Sequence, residues 1–238
     1  MTSRDRAAHK MAPRQTSLRQ QVRDTIRRKI QHGEIGPDTR LVDLEIASRM
    51  GVSRMPVREA LLELVSEGYL AGTTRGFVLP KLSMQDVADI FEIRKLLEPT
   101  AAANAARHLS DRAEADLVTA YERARRAHRD QDADEMGLAN MQYRQIWLEA
   151  EPNWRLAATI SRFADQVQTV RLATLKSPAT RDVVMSGLDR MTAAFRHRDA
   201  DAVEAAVRIF IEDAEAHFFA TQKAAGDRPD AGRRRSSV

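Results

Sequence analysis

Two arginines and a serine stand at a spacing that suits contact with a DNA duplex. Ser53, Arg54 and Arg58 follow Gly51 closely, and Arg54 and Arg58, four residues apart, share one face if the segment is helical. The apolar residues of the segment are expected on the opposite side: Val57, Leu61, Leu62 and Leu64. A short helix with an apolar back and a guanidinium front is typical of a helix that reads the major groove.

The elements that position this helix are indicated by the preceding sequence. A first helix is predicted near Ser17–His32, where apolar residues recur every four positions. A second is predicted over about 42–50, with Leu44 and Ala47 facing inward, and it stops at Gly51. The reading helix then runs from about residue 55 to 67, and Ser53 is expected to cap its first turn.

A hairpin is predicted directly after the third helix. Two short β-prone runs, Tyr69–Ala71 and Phe77–Pro80, flank a polar tip bounded by Gly72 and Gly76. Three helices and a hairpin in this order make a winged helix-turn-helix, and Pro80-Lys81-Leu82 is its expected boundary.

The remainder of the chain predicts helices alone. Apolar residues recur at helical spacing from Ser83 onward, and Ser83 with Asp86 resembles a capping pair. The predicted helices are 84–108, 111–130, 132–150, 153–175, 179–197 and 200–224. The fold class is therefore mainly α, an N-terminal winged helix-turn-helix followed by an antiparallel six- or seven-helix bundle. The predicted domains are a disordered basic arm (1–15), the winged head (16–80), the helical domain (81–225) and a disordered tail (226–238).

Charge and composition fit a DNA-binding protein. Residues 1–80 carry 14 Lys and Arg against 9 Asp and Glu, a net charge of +5, whereas residues 81–226 carry 20 against 23. The first third is therefore the part expected to face a polyanion. The chain has no cysteine, which excludes disulfides and thiolate chemistry. No apolar run approaches the ~20 residues of a membrane span and no apolar signal core is evident, so we expect a cytoplasmic protein without membrane contact.

Patterns typical of enzymes are missing from the sequence. No phosphate-binding loop, HExxH motif, Ser/His/Asp order or pair of catalytic carboxylates stands in a plausible setting. The glycines at 33–36 and 72–76 have neither the spacing nor the following helix that a nucleotide phosphate requires. We therefore do not expect an enzyme.

The motifs resemble a known family at this point. The stretch 41–76 is similar to the N-terminal domain of GntR-type bacterial transcription regulators. The residues that carry the resemblance are Ile46-Ala47, Gly51-Val52-Ser53-Arg54, Pro56-Val57-Arg58-Glu59-Ala60-Leu61, Leu64, Glu67-Gly68-Tyr69-Leu70 and Arg75-Gly76. The helical remainder resembles the FCD-type effector domain of the FadR-like subfamily, with Glu92–Glu98 and Arg198-Asp199-Ala200 as its main cues.

The resemblance implies a homodimer that binds a palindromic operator in double-stranded DNA. A small acidic metabolite would change its affinity for that operator. Ser53, Arg54 and Arg58 match DNA-contacting positions of the family's recognition helix, and Thr74, Arg75 and Gly76 match the wing tip, which reaches the minor groove. A narrow minor groove suits Arg75, and Gly76 would let the backbone approach the duplex. The chain departs from the pattern at Leu44, where the best-known member has an arginine.

The family metal site is not expected in this chain. Most members hold a divalent metal with an Asp and a His four residues apart on one helix and two later His residues. Those positions match Asn140, Arg144, Leu188 and Phe210, of which none is a good metal ligand. We therefore predict neither a metal nor another cofactor, although a relocated site that uses His217 is an alternative.

Arginine is the expected substitute for the metal charge. Arg144 could grip a carboxylate directly, and Arg94 and Arg171 are further candidates. Leu188 and Phe210 would give the pocket an apolar wall, and Asn140 completes the predicted effector site. This set favours an amphiphilic acid over a small hydroxy acid. The alternative is that Arg144 pairs with a buried carboxylate, such as Glu98 or Glu92, and that no ligand binds.

The function expected from sequence is a DNA-binding transcription regulator, expected to act as a repressor, whose operator affinity responds to an acidic or amphiphilic metabolite. The alternative is a ligand-independent regulator with a degenerate sensor domain. The arginine-rich tail at 233–235 could add non-specific phosphate affinity.

Overall fold

The computed structural model describes residues 17–167, 170–171 and 174–226, and within these residues it has nine helices and one two-stranded hairpin. The N-terminal elements are α1 (Leu18–Gln31), α2 (Asp43–Met50), α3 (Arg54–Ser66), β1 (Ala71–Thr73) and β2 (Gly76–Val78). The C-terminal elements are α4 (Met84–His108), α5 (Asp111–Arg129), α6 (Ala133–Glu149), α7 (Trp154–Gln166), α8 (Pro178–Arg196) and α9 (Ala200–Gly226). The predicted fold class is confirmed. The predicted arm at 1–15 and the tail beyond residue 226 lie outside the described residues.

The first three helices and the hairpin share one hydrophobic core. We call this part the winged head. Helix α3 packs on both α1 and α2 and buries four positions three or four residues apart: Val57, Ala60, Leu61 and Leu64. The prediction that two residues face inward is wrong. Leu62 lies off this apolar stripe and is 49% exposed. Leu44 is 62% exposed because Asp43, Ile46 and Ala47 occupy the buried side of the short helix α2.

The hairpin is a short antiparallel wing. Its register pairs Ala71 with Val78 and Thr73 with Gly76, and Thr74 and Arg75 form its tip. Leu41, just before α2, forms a further antiparallel bridge with Phe77 through two backbone hydrogen bonds of 2.8 Å. The wing is thus joined by backbone bonds to the segment that leads into the helix-turn-helix.

The helical part has a separate and larger core. We call it the bundle. Helices α5 and α6 form one neighbouring pair and α8 and α9 another, while α4 contacts α6, α7 and α9. The short turns within the two pairs make them antiparallel. The predicted capping pair is confirmed: Ser83 and Asp86 bond reciprocally at the start of α4.

One predicted helix is interrupted. The sequence suggested a continuous helix over 153–175, but α7 ends at Gln166, and the backbone N–H of Val167 turns back to the carbonyl of Asp165. Residues 170–171 and 174 are again helical, and 168, 169, 172 and 173 lie outside the described residues. No glycine or proline marks this break. Its physical reason is tertiary, because the last turn of α7 is held against the winged head.

The contact between the head and α7 reaches the end of the reading helix. The guanidinium of Arg162 donates to the carbonyls of Glu67 (2.7 Å) and Ser66 (3.2 Å), and Gln166 also donates to the carbonyl of Glu67 at 3.1 Å. Gly68 has a left-handed backbone with φ of 79°, and a Cβ there would lie 2.4 Å from the amide nitrogen of Gln166. The left-handed backbone is the main reason for glycine at this position, because the nearest atom belongs to the end of a flexible glutamine side chain.

Candidate functional site

The helix-turn-helix presents the three predicted recognition residues to solvent. Helix α2 ends at Gly51, whose left-handed backbone (φ of 65°) turns the chain into α3. Ser53, Arg54 and Arg58 are exposed at the start of α3. Ser53 occupies the N-cap position with an extended backbone, but its side chain makes no capping hydrogen bond, so the predicted cap is wrong. Its hydroxyl is therefore available to a ligand.

A buried carboxylate, missed in the sequence analysis, positions both arginines. Asp43 is 5% exposed, and its Oδ2 lies 3.0 Å from Nε of Arg54 and 3.3 Å from Nη1 of Arg58. The hydrogen bond from Arg54, opposed by burial and aided by Arg58, holds the pKa of Asp43 below its ordinary value. The two guanidinium groups are thereby fixed side by side while about half of each side chain stays exposed. Asp43 opens the short helix α2, and no motif in the sequence singled it out.

The wing tip presents Thr74 and Arg75. Both are exposed, and the hydroxyl of Thr73 braces the tip by accepting from the N–H of Arg75 and donating to the carbonyl of Gly76. Gly76 has φ of 127°, and a Cβ at this position would lie 2.5 Å from the carbonyl oxygen of Leu41. Glycine is therefore required at position 76 by a contact within the head itself, the close bridge between the wing and the segment before α2.

Inside the bundle, three arginines surround one glutamate. Nε of Arg94 donates to Oε1 of Glu98 at 2.7 Å, and Nη1 of Arg144 lies 4.0 Å from the same oxygen. All three of these side chains are at least nine-tenths buried. Arg171 completes the cluster, because Glu98, Arg144 and Arg94 all act on its charge. We call these four residues the arginine cluster.

The arginine cluster carries an excess of positive charge. Burial would raise the pKa of Glu98, but Arg144 and Arg94 outweigh it and lower this pKa to about 2. Burial lowers the pKa of Arg144 to about 10, even though Glu98 opposes the shift, and burial together with the neighbouring arginines lowers the pKa of Arg171. Within the cluster, Glu98 is the carboxylate beside three guanidinium groups, and Asp165 acts on Arg144 and Arg171 from outside it.

Arg144 is incompletely satisfied. Among the described residues, its Nη1 is buried and has no hydrogen-bond partner. The alternative that Arg144 pairs with a buried carboxylate is met in part, since Glu98 is near, but the short bonds of Glu98 go to Arg94. A buried guanidinium nitrogen without a partner costs free energy, which an anionic ligand would recover.

A cavity of about 70 Å³ adjoins the cluster. Of the predicted effector residues, five line it: Arg94, Asn140, Arg144, Arg171 and Phe210. Leu188 is not among the lining residues but lies fully buried in the bundle core. A Cβ on Gly187 would come within 2.1 Å of the Phe210 ring, so this glycine makes room for the ring. The hydrogen-bonded pair Thr180 and His217 (2.9 Å) adds polar groups that the sequence analysis did not assign to the pocket.

These residues do not fit a divalent metal. The cavity offers one amide, guanidinium groups and an aromatic ring where the family pattern has carboxylate and imidazole ligands. In the part of the chain that the structure describes, no three His, Asp or Glu side chains are grouped as a metal site. His217 bonds to Thr180 and has no such companions.

The fold and these two sites define a class: a winged helix DNA-binding protein with a helical sensor domain. The family models agree. Residues 18–76 match "Bacterial regulatory proteins, gntR family", and residues 89–213 match the FCD domain. The chain therefore belongs to the GntR family of bacterial regulatory proteins, in its FCD-containing form, and is a DNA-binding transcription regulator, not an enzyme.

Individual relatives are similar over different lengths. The HTH-type transcriptional regulator McbR of Escherichia coli K12 is 31% identical over 54% of this chain and 58% of its own. The HTH-type transcriptional repressor RspR of the same organism is 26% identical over 82% of this chain and 86% of its own. A solved structure of E. coli McbR/YncC has a TM-score of 0.76 at 23% identity, with 87% of this chain and all of that chain covered. None of the helices described here is long and apolar enough to cross a bilayer.

Proposed function

We propose that this protein is a repressor whose hold on its operator is set by a small carboxylate bound in the bundle. Ser53, Arg54 and Arg58 contact the major groove, and Thr74, Arg75 and Gly76 contact the minor groove. This assignment is supported by the exposure of the reading helix and by the clamp of Asp43 on both arginines. Repression is supported by the name of the relative RspR.

The operator is expected to be palindromic. A homodimer places two identical reading helices on two half-sites, so the symmetry of the protein is repeated in the DNA. A regulator of this kind works in the cytoplasm, where it meets the bacterial chromosome.

The operator is tested by selection from genomic DNA. We expect the purified chain to enrich a small number of fragments that share an inverted repeat, and to bind them at least about 10³ times more tightly than random duplex. Sequencing of the captured fragments, followed by gel shifts, measures both. Equal affinity for all fragments would contradict sequence-specific regulation.

The ligand is expected to be a short apolar carboxylate that binds without a metal. The observation that carries this proposal is the buried Nη1 of Arg144, which has no hydrogen-bond partner among the described residues and belongs to a side chain that lines a cavity walled by Phe210. The cavity volume of about 70 Å³ is roughly half of the ~150 Å³ that accommodates benzene. An acid of a few carbon atoms therefore fits better than a long amphiphile.

Calorimetry with matched probes tests this ligand class. Butyrate should bind saturably and release heat, whereas n-butanol, which lacks the charge, should not bind at the same concentrations. Arg144→Met keeps an unbranched apolar stem, removes the guanidinium group with its charge and should abolish the butyrate signal. Zinc should give no saturable binding, and tight zinc binding would contradict a metal-free site.

The second candidate is a regulator with a degenerate sensor. The short bonds between Glu98 and Arg94 favour it, because they already neutralise part of the cluster. Under this alternative, a series of carboxylates from acetate to hexanoate produces no heat and leaves operator affinity unchanged.

A further inference from the structure

Two arginines of the arginine cluster line two different spaces, a small cavity and an open cleft. Arg144 and Arg171 line the small cavity and also line an open cleft of about 930 Å³ between the winged head and the bundle. Arg27 and Tyr69 of the head form part of the cleft wall. The arginines of the proposed ligand site therefore also border the space between the bundle and the head.

One carboxylate in this cleft joins the bundle to the head. Asp165, in the last turn of α7, is 9% exposed. Its Oδ2 accepts from Nε of Arg27 at 2.8 Å and from the hydroxyl of Tyr69 at 3.0 Å, and Nη2 of Arg27 lies 2.7 Å away. The amide of Gln31 donates to both oxygens at 3.0 Å. Asp165 thus serves as counter-ion and acceptor for α1 and as acceptor for Tyr69, three residues beyond the reading helix.

The same carboxylate also acts on the arginine cluster. Its charge favours the protonated forms of both Arg144 and Arg171. Asp165 therefore lies in the positive potential of the cluster while its hydrogen bonds go to the head. Charges in such a partly buried site are weakly screened by salt, so an added charge at the cluster acts on Asp165 directly.

We propose that an anion bound at Arg144 and Arg171 competes with Asp165 for the positive potential of the arginine cluster and thereby loosens the contact of Asp165 with the winged head. This inference rests on the proposed carboxylate site and names the residue that couples it to DNA binding. The anion removes part of the attraction on Asp165 and adds a repulsion of like charge. By linkage, a loosened head also favours the anion to the same extent.

Helix α7 connects this competition to the reading helix. The residues beside Asp165, Arg162 and Gln166, hold the last carbonyls at the end of α3, while Val167 lines the ligand cavity. A shift of the last turn of α7 therefore moves the rear of the helix whose front carries Arg54 and Arg58. Two such elements in a dimer change the spacing of the two heads, and that change alters operator affinity.

Butyrate titration of Asp165→Asn tests the competition. Asparagine keeps the shape and still accepts hydrogen bonds, but it removes the charge that competes with the anion. We expect this variant to bind butyrate about three- to tenfold more tightly than the wild type. The matched control is Asp134→Asn, an exposed residue of α6 outside both spaces, which should bind as the wild type does. Equal affinities in the two variants would overturn the inference and leave the ligand site standing. Absence of butyrate binding in every protein would overturn the proposed ligand class and this inference with it.

A second measurement leaves Asp165 and its neighbours unchanged. The chain has no cysteine, so Asp38→Cys in the head and Ala115→Cys in the bundle, both exposed, accept spin labels at defined places. Labelled chains diluted with unlabelled chains report distances within one protomer. Saturating butyrate should shift or broaden the distance distribution, and n-butanol should leave it unchanged. An unchanged distribution with butyrate bound would overturn the inference even if Asp165→Asn does not fold.

Discussion

Replacement of Arg58 by alanine is expected to weaken operator binding by about 1–3 kcal/mol, the value of one bidentate contact to a base. The side chain is half exposed and is held beside Arg54 by Asp43, so its loss removes a prepositioned donor rather than a flexible one. Gel shifts or fluorescence anisotropy with the selected operator measure the effect. The dimer and the thermal stability should be unchanged.

Arg112→Ala is the matched control, because it removes the same charge from a side chain that is 94% exposed on α5. It should leave operator affinity within experimental error. The salt dependence of DNA affinity shows whether Arg58 contacts a base or a phosphate. A base contact costs affinity only on the operator, whereas a phosphate contact costs affinity on all duplexes and lowers the salt slope by about one. An Arg58→Ala protein with wild-type affinity would contradict the assigned surface.

Replacement of Glu98 by glutamine should destabilise the bundle by about 3–5 kcal/mol, because it leaves the buried Arg94 and Arg144 and the partly exposed Arg171 without their common carboxylate. Chemical denaturation at neutral pH measures this loss. The folded-state pKa of Glu98 is about 2, below the ordinary value of 4.5. The wild type should therefore keep this contribution above about pH 4.5 and lose it as the pH falls toward 2, whereas the variant has no such contribution to lose.

Arg144→Met is the informative comparison for Glu98→Gln. It removes a buried charge that is incompletely satisfied, and Glu98 keeps its 2.7 Å partner Arg94, so that no buried charge loses its last partner. We expect its effect on the free energy of unfolding to be much smaller than that of Glu98→Gln. Equal losses in the two variants would contradict the view that the cluster has an excess of positive charge.

The order of elements in the head could be predicted from sequence because local signals mark each of them. Gly51 caps the end of α2, as expected. The predicted hairpin is present, but its tip is only Thr74 and Arg75, because Gly72 pairs with Phe77 inside β1 and Gly76 begins β2. The same local signals did not predict which side of a short helix is buried. Leu44 was expected inside, but a helix of eight residues buries only one narrow side, and Asp43 takes part of it to serve the arginines. Short helices have too few turns for an apolar period to settle their orientation.

The ligand cavity could be predicted only in part. Family positions placed Arg94, Asn140, Arg144, Leu188 and Phe210 together, and Arg171 was added from its predicted helix. All of these except Leu188 line one cavity. The roles of these residues, like those of the DNA-facing residues, stay predictions. The contributions of Thr180 and Asp165 could not be foreseen, because neither belongs to a motif and each acts through residues distant in sequence. The break after Gln166 was likewise invisible, since docking against the head causes it rather than any local residue.

The bridge between Leu41 and Phe77 ties the wing by backbone bonds to the segment that enters α2, and both residues share one hydrophobic core with the reading helix. The close approach at Gly76 leaves no space for the wing to shift along this segment. The distance from the arginines of α3 to the wing tip is therefore constant when both contact the duplex. Each operator half is then expected to keep one constant internal length across all regulated promoters. Natural variation among operators would then occur in the spacing between the two half-sites. Only the movement of the two protomers relative to each other limits that spacing.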